Sequence, residues 1–328
     1  MANLLDPLKI KGLELKNRIV MPPMAMDKGT SEGEVTDWII NHYLKRVTGI
    51  GLVIVEHSYV HPLGKHSPRQ MGIYDDKLIP GLTRLAKAIK GRGPAVAIQI
   101  THSGARISSA IEMQPIAPSA SPFFAKESPR TLKIEEIESL IWSFGEAAAR
   151  AKKAGFDAVE VHGAHGFLLN EFHSPLTNKR NDKYGGGLEN RVRFTLAVVS
   201  KVKEKIGDDY PLLLRLGADD RLPGGLTIEE AKIIAKKLVE AGVHILDVSG
   251  GLCGSRPQEL KDTPGYFVYL AKEIKKVVDV PVIGVGGIKT REIADEIVRS
   301  GMVDLVAIGS AILKDPEWAL KAVKGLKG

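Results

Sequence analysis

The sequence predicts a single (β/α)8 TIM barrel spanning residues 1–328, because short apolar runs alternate with longer amphipathic segments along the chain. The apolar runs are rich in Val, Ile and Leu, as expected for parallel strands buried on both faces. Several amphipathic segments stop at a glycine, a common left-handed helix end. An open doubly wound sheet is the alternative, but no GxGxxG pattern follows the first strand.

Eight apolar runs are predicted as the barrel strands: Ile19–Met24, Leu52–His57, Ala95–Thr101, Ala158–His162, Leu212–Leu216, Ile245–Ser249, Val282–Gly286 and Leu305–Gly309. A helical segment follows each run, and the clearest are Ile134–Ala154, Glu189–Lys205, Ile228–Ala241 and Thr290–Arg299. Eight strand and helix repeats in sequence order favour closure into a barrel.

Two segments lie outside this repeat. Residues 8–15 contain two short apolar runs joined at Lys11-Gly12, which predicts a hairpin that plugs the bottom of the barrel. Residues 103–133 form a long insertion after strand three that is rich in Pro and Ser. A loop of this length in a compact domain is usually functional, for example as a lid. The alternative is a mobile surface excursion.

Composition restricts the classes of protein that fit. The formal net charge is +7, with Lys and Arg spread along the chain, so we expect no nucleic-acid arm. This charge fits a solvated surface or attraction of anionic ligands. The single cysteine, Cys253, excludes an intramolecular disulfide and a cysteine-ligated cluster. The N-terminus is too charged for a signal peptide and no long apolar run is present, so we expect a cytoplasmic protein without membrane contact.

Active sites of such barrels lie at the carboxyl ends of the strands. Strand six is followed by Gly250, strand seven ends at Gly286-Gly287, and strand eight ends at Gly309-Ser310. Small residues after strands seven and eight let backbone N–H groups approach an anion. The pattern therefore predicts a phosphate-binding site in these two loops.

Two polar residues interrupt apolar strands. Arg215 stands in Leu-Leu-Leu-Arg-Leu-Gly, and a buried guanidinium requires a partner. The partner is either a bound cofactor that carries negative charge or a buried carboxylate such as Glu56. The amide of Gln99 both donates and accepts, which suits the edge of a ring with a carbonyl beside an N–H.

His162 and His165 stand three residues apart at the end of strand four. No third ligand with suitable spacing is near, so zinc is disfavoured and no metal is expected. The preferred interpretation is a pair of hydrogen-bond donors that hold a carbonyl or anionic oxygen.

Long motifs across nearly the whole chain resemble the old yellow enzyme family of FMN-dependent ene reductases. These motifs are KNRIVMPPM at 16–24, VEVHGAHGFLL at 159–169, FHSPLTNKR at 172–180 and YGGGLENR at 184–191. Within this family, the stretch PPMA resembles the enoate and dienoyl reductase branch more closely than the plant or yeast branch.

The resemblance implies a role for each candidate residue. FMN would lie along Pro23, Met24 and Ala25, with Gln99 at its pyrimidine edge and Arg215 near its N1–C2 carbonyl region. The remaining predicted cofactor residues are Gly250, Gly286, Gly287, Gly309 and Ser310, of which the last four would hold the phosphate. His162 and His165 would bind the substrate carbonyl oxygen. NAD(P)H would reduce FMN and leave before a conjugated C=C substrate enters.

The chain departs from the family pattern at the proton donor. The family usually has a tyrosine two residues after the second histidine, and here Phe167 stands there. His57 is the candidate replacement, because imidazole titrates near neutrality. Tyr184 is a weaker candidate, and His57 could instead be a rim residue without a role. Slow protonation would favour isomerisation or desaturation over net reduction.

Further departures concern the cofactor and the electron supply. Ala25 stands where some members carry a cysteine that tunes the flavin, and Ser310 where many carry an arginine on the phosphate. The sequence lacks the iron–sulfur cysteines of larger enoate reductases, and we expect none of their additional domains, so electrons would come from soluble NAD(P)H or from a partner protein. We expect a small-molecule substrate and a homo-oligomer.

Overall fold

The computed structural model describes residues 2–124 and 128–327 and contains a closed barrel of eight parallel strands. The barrel strands, in chain order, are β3 Ile19–Met21, β4 Leu52–Tyr59, β5 Ala95–Thr101, β8 Ala158–Gly163, β9 Leu212–Gly217, β10 Ile245–Ser249, β11 Val282–Val285 and β12 Leu305–Ala307. Each strand pairs with its neighbour in sequence order, and β12 closes on β3. The predicted fold class is confirmed.

The other strands are β1 Leu8–Ile10, β2 Leu13–Leu15, β6 Ile116–Ala117 and β7 Arg130–Thr131. The helices are α1 Asp37–Leu44, α2 Ile79–Lys90, α3 Ile134–Lys153, α4 Leu168–His173, α5 Leu188–Ile206, α6 Ile228–Glu240, α7 Val268–Lys275, α8 Arg291–Arg299, α9 Ser310–Lys314 and α10 Trp318–Lys327. Within the described ranges, no helix is both long and apolar enough to cross a membrane.

Local chemistry sets several element ends. Thr227 and Thr290 cap α6 and α8, since each hydroxyl accepts a backbone N–H three residues later. Thr290, predicted as helical, is therefore the cap that precedes the helix. As expected, glycines in the left-handed region follow the ends of α3, α6 and α8, at Gly155, Gly242 and Gly301.

Three predicted strands are shorter in the structure. The first ends at Met21 rather than Met24, because Pro22 and Pro23 lack the N–H that a ladder needs. The seventh ends before Gly286, whose φ of 119° leaves the extended region. The eighth ends at Ala307 rather than Gly309. The second is longer and runs to Tyr59, with a register irregularity between Val55 and Ser58.

The lower barrel interior is apolar and is closed by the β1–β2 hairpin. Leu13 and Leu15 of the hairpin belong to one buried cluster with five interior residues, Ile54, Ala97, Ala158, Leu213 and Ile245. Since side chains alternate along a strand, residues two positions further on also face inward, one layer higher. That next layer is polar and buried: Glu56, Gln99, Glu160, Arg215 and Asp247.

The long insertion after β5 carries the short parallel pair β6–β7 and returns over the mouth of the barrel. The ring of Phe124 lies so close to Gly166 that a Cβ on that glycine would meet it at 2.2 Å. Arg106 lies over the same ring, 5.1 Å from its centroid. This part of the insertion therefore covers the loop after β8; residues 125–127 lie outside the described ranges.

Candidate functional site

A cavity of about 420 Å³ opens at the carboxyl ends of the barrel strands. It is lined by nearly all of the residues that the sequence singles out: Pro23, Met24, Ala25, His57, Gln99, His162, His165, Phe167, Arg215, Gly286, Gly287, Gly309 and Ser310. Gly250 is the exception, because it lies behind the wall and its carbonyl accepts from the backbone N–H of His165. The barrel thus brings together predicted residues from seven of its strands and the loops that follow them.

One end of the cavity is built from backbone without side chains. Gly286 and Gly287 have φ values of 119° and 62°, conformations that favour glycine. A Cβ on either residue would meet the ring of Tyr266, at 2.6 Å and 3.0 Å respectively. This cradle, with Gly309 and Ser310 beside it, fits a phosphate bound by backbone N–H groups.

Elsewhere in the cavity, Arg215 and Gln99 belong to the buried polar layer of the barrel interior. The Nε atom of Arg215 is 3.3 Å from Oδ2 of Asp247 on the neighbouring strand. Asp247, rather than Glu56, is therefore its carboxylate partner, which corrects the alternative named from the sequence. Glu56 instead accepts the backbone N–H of Met26 at 2.8 Å, and burial raises the pKa of its carboxyl to about 7.

Gln99 is fixed by a carboxyl group at the same level on the neighbouring strand. Its Nε2 donates to Oε1 of Glu160 at 2.8 Å, across the register that pairs the two residues. Burial, and secondarily the charge of Asp247, raises the pKa of Glu160 well above its usual value. The amide and the guanidinium of Arg215 therefore face the cavity from one rigid layer. That donor set fits the pyrimidine side of a flavin.

The rings of His162 and His165 meet edge to face in the cavity, with centroids 5.1 Å apart. Both side chains are buried, and burial lowers the pKa of each imidazole well below its usual value. Each ring is thus neutral and carries one N–H. Nδ1 of His162 is buried without a hydrogen-bond partner among the described residues. The pair can hold an oxygen without carrying charge.

His165 is held in an unusual backbone conformation, with a φ of 60°. Its backbone N–H donates to Gly250 at 3.1 Å, and its carbonyl accepts from Nη1 of Arg106. Its Nε2 is 2.7 Å from Oγ of Ser249. Such conformations persist where the surroundings hold them, and they cluster at functional sites.

Phe167 is surrounded by imidazoles. Its ring centroid lies 4.6 Å from that of His162, 5.2 Å from that of His57 and 5.3 Å from that of His66. Phe167 is buried and its side chain has no polar atom. This wall of the cavity is therefore aromatic but has no hydroxyl group that could donate a proton.

His57 is held by Gln70, whose Nε2 is 2.7 Å from Nδ1 of the imidazole. An amide nitrogen only donates, so Nδ1 accepts and the ring hydrogen is on Nε2. Burial lowers the pKa of His57 to about 3, with a smaller contribution from His66. The ring is therefore neutral near pH 7, unlike the imidazole near neutrality that the sequence suggested.

Four lining residues with titratable side chains were missed from the sequence: His66, Arg106, Arg256 and Tyr266. Arg106 lies in the first residues of the loop after β5, and such loops of a barrel are where functional residues are expected, so its position was a usable signal. The other three lie in long loops whose paths no periodicity predicts. Among the described residues, no group of three or more His, Cys, Asp or Glu could hold a metal ion.

The chain belongs to the NADH:flavin oxidoreductase / NADH oxidase family, whose model matches residues 3–328. This is the old yellow enzyme family. Membership of this family makes the chain a flavin-dependent NAD(P)H oxidoreductase. FMN is its cofactor, and the relatives' names include both NADH and NADPH as reductants.

Two curated relatives and two solved structures illustrate the relationship. An NADH oxidase of Thermoanaerobacter brockii is 46% identical over 98% of this chain and 51% of its own length. An NADPH dehydrogenase of Geobacillus sp. (strain WCH70) is 41% identical over 98% of this chain and 94% of its own. The chain thus spans about half the first relative and nearly all of the second.

Among solved structures, a 2-naphthoyl-CoA reductase complex superposes with a TM-score of 0.92 at 31% identity, over 98% of this chain and 52% of that one. The old yellow enzyme homologue of Zymomonas mobilis superposes with a TM-score of 0.86 at 29% identity, over 99% of this chain and 93% of that one. The resemblance inferred from the motifs is confirmed.

Proposed function

We propose that this protein transfers hydride from NAD(P)H, through FMN, to the C=C bond of an α,β-unsaturated carbonyl compound. The observation that carries the proposal is the neutral His162 and His165 pair, which faces the same cavity as Arg215, Gln99 and the glycine cradle. The flavin, when bound, supplies hydride at its N5 position. The protein supplies orientation, charge stabilisation and exclusion of water.

The two histidines would hold the substrate oxygen. If Ser249 donates its hydroxyl hydrogen to Nε2 of His165, Nδ1 carries the ring hydrogen and can donate to the substrate. His162 would provide the second donor. Two neutral donors stabilise the negative charge that develops on the carbonyl oxygen when the β-carbon accepts hydride. Arg215 would stabilise negative charge on the pyrimidine side of the cofactor.

The enolate then needs a proton at the α-carbon, which Phe167 does not provide. We propose that Nε2–H of His57, fixed by Gln70, hydrogen-bonds the water that delivers this proton. Its depressed pKa argues against a direct role as imidazolium. His66, whose ring centroid lies 5.8 Å from that of His57, lines the same space. Tyr184 is buried and is not among the lining residues, so it is the weaker candidate.

A redox-neutral isomerase, or a desaturase that passes electrons from its substrate through the flavin to an acceptor, is the second candidate, and Phe167 favours it. Without a positioned acid, the enolate persists, the Cα–Cβ bond can rotate, and the β-carbon can return hydride to the cofactor, which would isomerise the C=C bond. The third candidate is a flavoprotein subunit that receives electrons from a partner protein. It is favoured because the chain matches only 51% of the length of the first relative.

An enone panel with NADH and NADPH discriminates between these functions. Stoichiometric consumption of NAD(P)H with formation of the saturated product supports the ene reductase. Conversion of substrate without NAD(P)H consumption supports the isomerase. Reduction only with an added electron-transfer protein supports the subunit. We also propose that the protein is cytoplasmic and forms a homo-oligomer. Sedimentation of the purified protein would test the oligomeric state.

A further inference from the structure

Three arginines line the cavity: Arg106, Arg215 and Arg256. Two of them are already engaged by the protein. Arg215 pairs with Asp247 beside Gln99, and Arg106 donates to the carbonyl of His165 at the substrate side. Arg256 is exposed, and none of the ion pairs among the described residues includes it. Its charge is therefore available to a ligand.

The segment that carries Arg256 is fastened to the glycine cradle. The hydroxyl of Tyr266 donates to the carbonyl of Ser255 at 3.0 Å, and the backbone N–H of Tyr266 donates to Gly286 at 3.1 Å. The Tyr266 ring covers Gly286 and Gly287, as the Cβ distances show. Burial raises the pKa of Tyr266, and the positive charge of Arg256 opposes that rise. Arg256 thus lies at the phosphate end of the cavity.

That end lacks a cation from the barrel itself. Ser310, at the first position of α9, carries no charge, and no Asp or Glu is among the cavity-lining residues. A phosphate monoester carries a charge of about −1.5 to −2 near pH 7, which backbone N–H groups alone do not neutralise. An arginine brought from the loop after β10 would complete the site.

We propose that Arg256 binds the FMN phosphate and supplies the positive charge that Ser310 does not. The inference rests on the flavin site of the proposed function and deepens it, because it assigns a ligand from the loop between β10 and α7. Tyr266 is the positioning residue that holds this loop against Gly286 and Gly287.

The test compares two flavins that differ only in the phosphate. Apoprotein is titrated with FMN and with riboflavin, and fluorescence quenching gives the two dissociation constants. Arg256→Ala should raise the FMN constant about tenfold at low salt, as expected for a partly exposed charge-assisted contact. The riboflavin constant should change less than about twofold. High salt should shrink the FMN effect.

Two further variants sharpen the result. Arg221→Ala is the matched control, since Arg221 is a surface arginine that contacts Glu259 and Tyr269 outside the cavity lining. It should leave the FMN to riboflavin ratio unchanged. Ser310→Arg in the Arg256→Ala background should recover FMN affinity, because it places a cation at the same anion from the other side.

The outcomes separate this inference from the proposed function. FMN affinity unchanged in Arg256→Ala, or an equal loss for both flavins, would overturn the role of Arg256 and leave the flavin site standing. Weaker binding of NADPH alone would also overturn it and assign the arginine to the reductant. Failure of the unsubstituted chain to bind either flavin would overturn both.

Discussion

Phe167→Tyr places a phenolic hydroxyl where the structure has only a ring surrounded by three imidazoles. The centroid of Phe167 lies 4.6 to 5.3 Å from those of His162, His57 and His66. A hydroxyl at the ring tip would therefore find imidazole nitrogens or cavity water as partners. It need not be left buried without a hydrogen bond, so the substitution should fold normally.

The size of the effect follows from the step that the hydroxyl would serve. A positioned general acid contributes about 10²- to 10⁴-fold to a proton transfer. If protonation of the enolate limits turnover, Phe167→Tyr should raise the rate of the oxidative half-reaction by at least about tenfold. If the water held by His57 already protonates quickly, the gain is smaller and another step limits the rate.

Stopped-flow mixing of the reduced protein with 2-cyclohexenone measures that half-reaction apart from reduction by NAD(P)H. The reductive half-reaction is the internal control and should be unchanged. His57→Ala, examined beside Phe167→Tyr, should slow reoxidation in the parent chain and less so in the tyrosine variant. An unchanged oxidation rate with normal folding and FMN content would refute the argument that a missing acid limits this enzyme.

Three further predictions follow from the same geometry. His162→Ala should weaken binding of a phenolate ligand about tenfold in a spectral titration, while His61→Ala, outside the cavity lining, should not. Glu56→Gln should remove the contribution of Glu56 to the pH dependence of the free energy of unfolding. The pKa of Glu56 is raised to about 7, so its stabilisation is present below its unfolded pKa and lost as pH rises through 7. Urea unfolding should therefore show the glutamine variant gaining relative stability toward pH 8, by at most about 3 kcal/mol, and parallel curves would contradict this. Gly287→Ala should cost about 1–2 kcal/mol and lower FMN affinity, because φ is 62° and the new Cβ would meet the Thr263 carbonyl at 3.0 Å. Unchanged FMN affinity in that variant would remove the glycine from the cradle.

The barrel could be predicted because its strands are buried on both faces and therefore appear as continuous apolar runs. The interior positions Gln99 and Arg215 were visible for the same reason, since a polar residue within such a run is conspicuous. Strand ends were predicted less well. Proline at 22 and 23 and the left-handed Gly286 end their strands by backbone chemistry that hydropathy does not report.

Contacts between segments that are distant in the chain could not be predicted from the sequence. Glu56 and Asp247 are both buried acids inside the barrel, and only the register of β9 and β10 identifies Asp247 as the partner of Arg215. The neutrality of His57 depends on burial, and its tautomer depends on Gln70, thirteen residues away in a loop. Arg256 reaches the cavity through a loop anchored by Tyr266, and neither residue has a periodicity that predicts its place.

The most direct test of the central claim is the visible absorption spectrum of the purified protein, followed without air as NADH or NADPH is added. A flavin spectrum that bleaches with either nucleotide is the predicted result, because the family uses FMN with NADH or NADPH and the cavity fits the proposed flavin site. A flavin band that persists with both nucleotides would contradict direct reduction by NAD(P)H and favour a partner protein. A colourless protein that FMN cannot reconstitute would contradict the account as a whole.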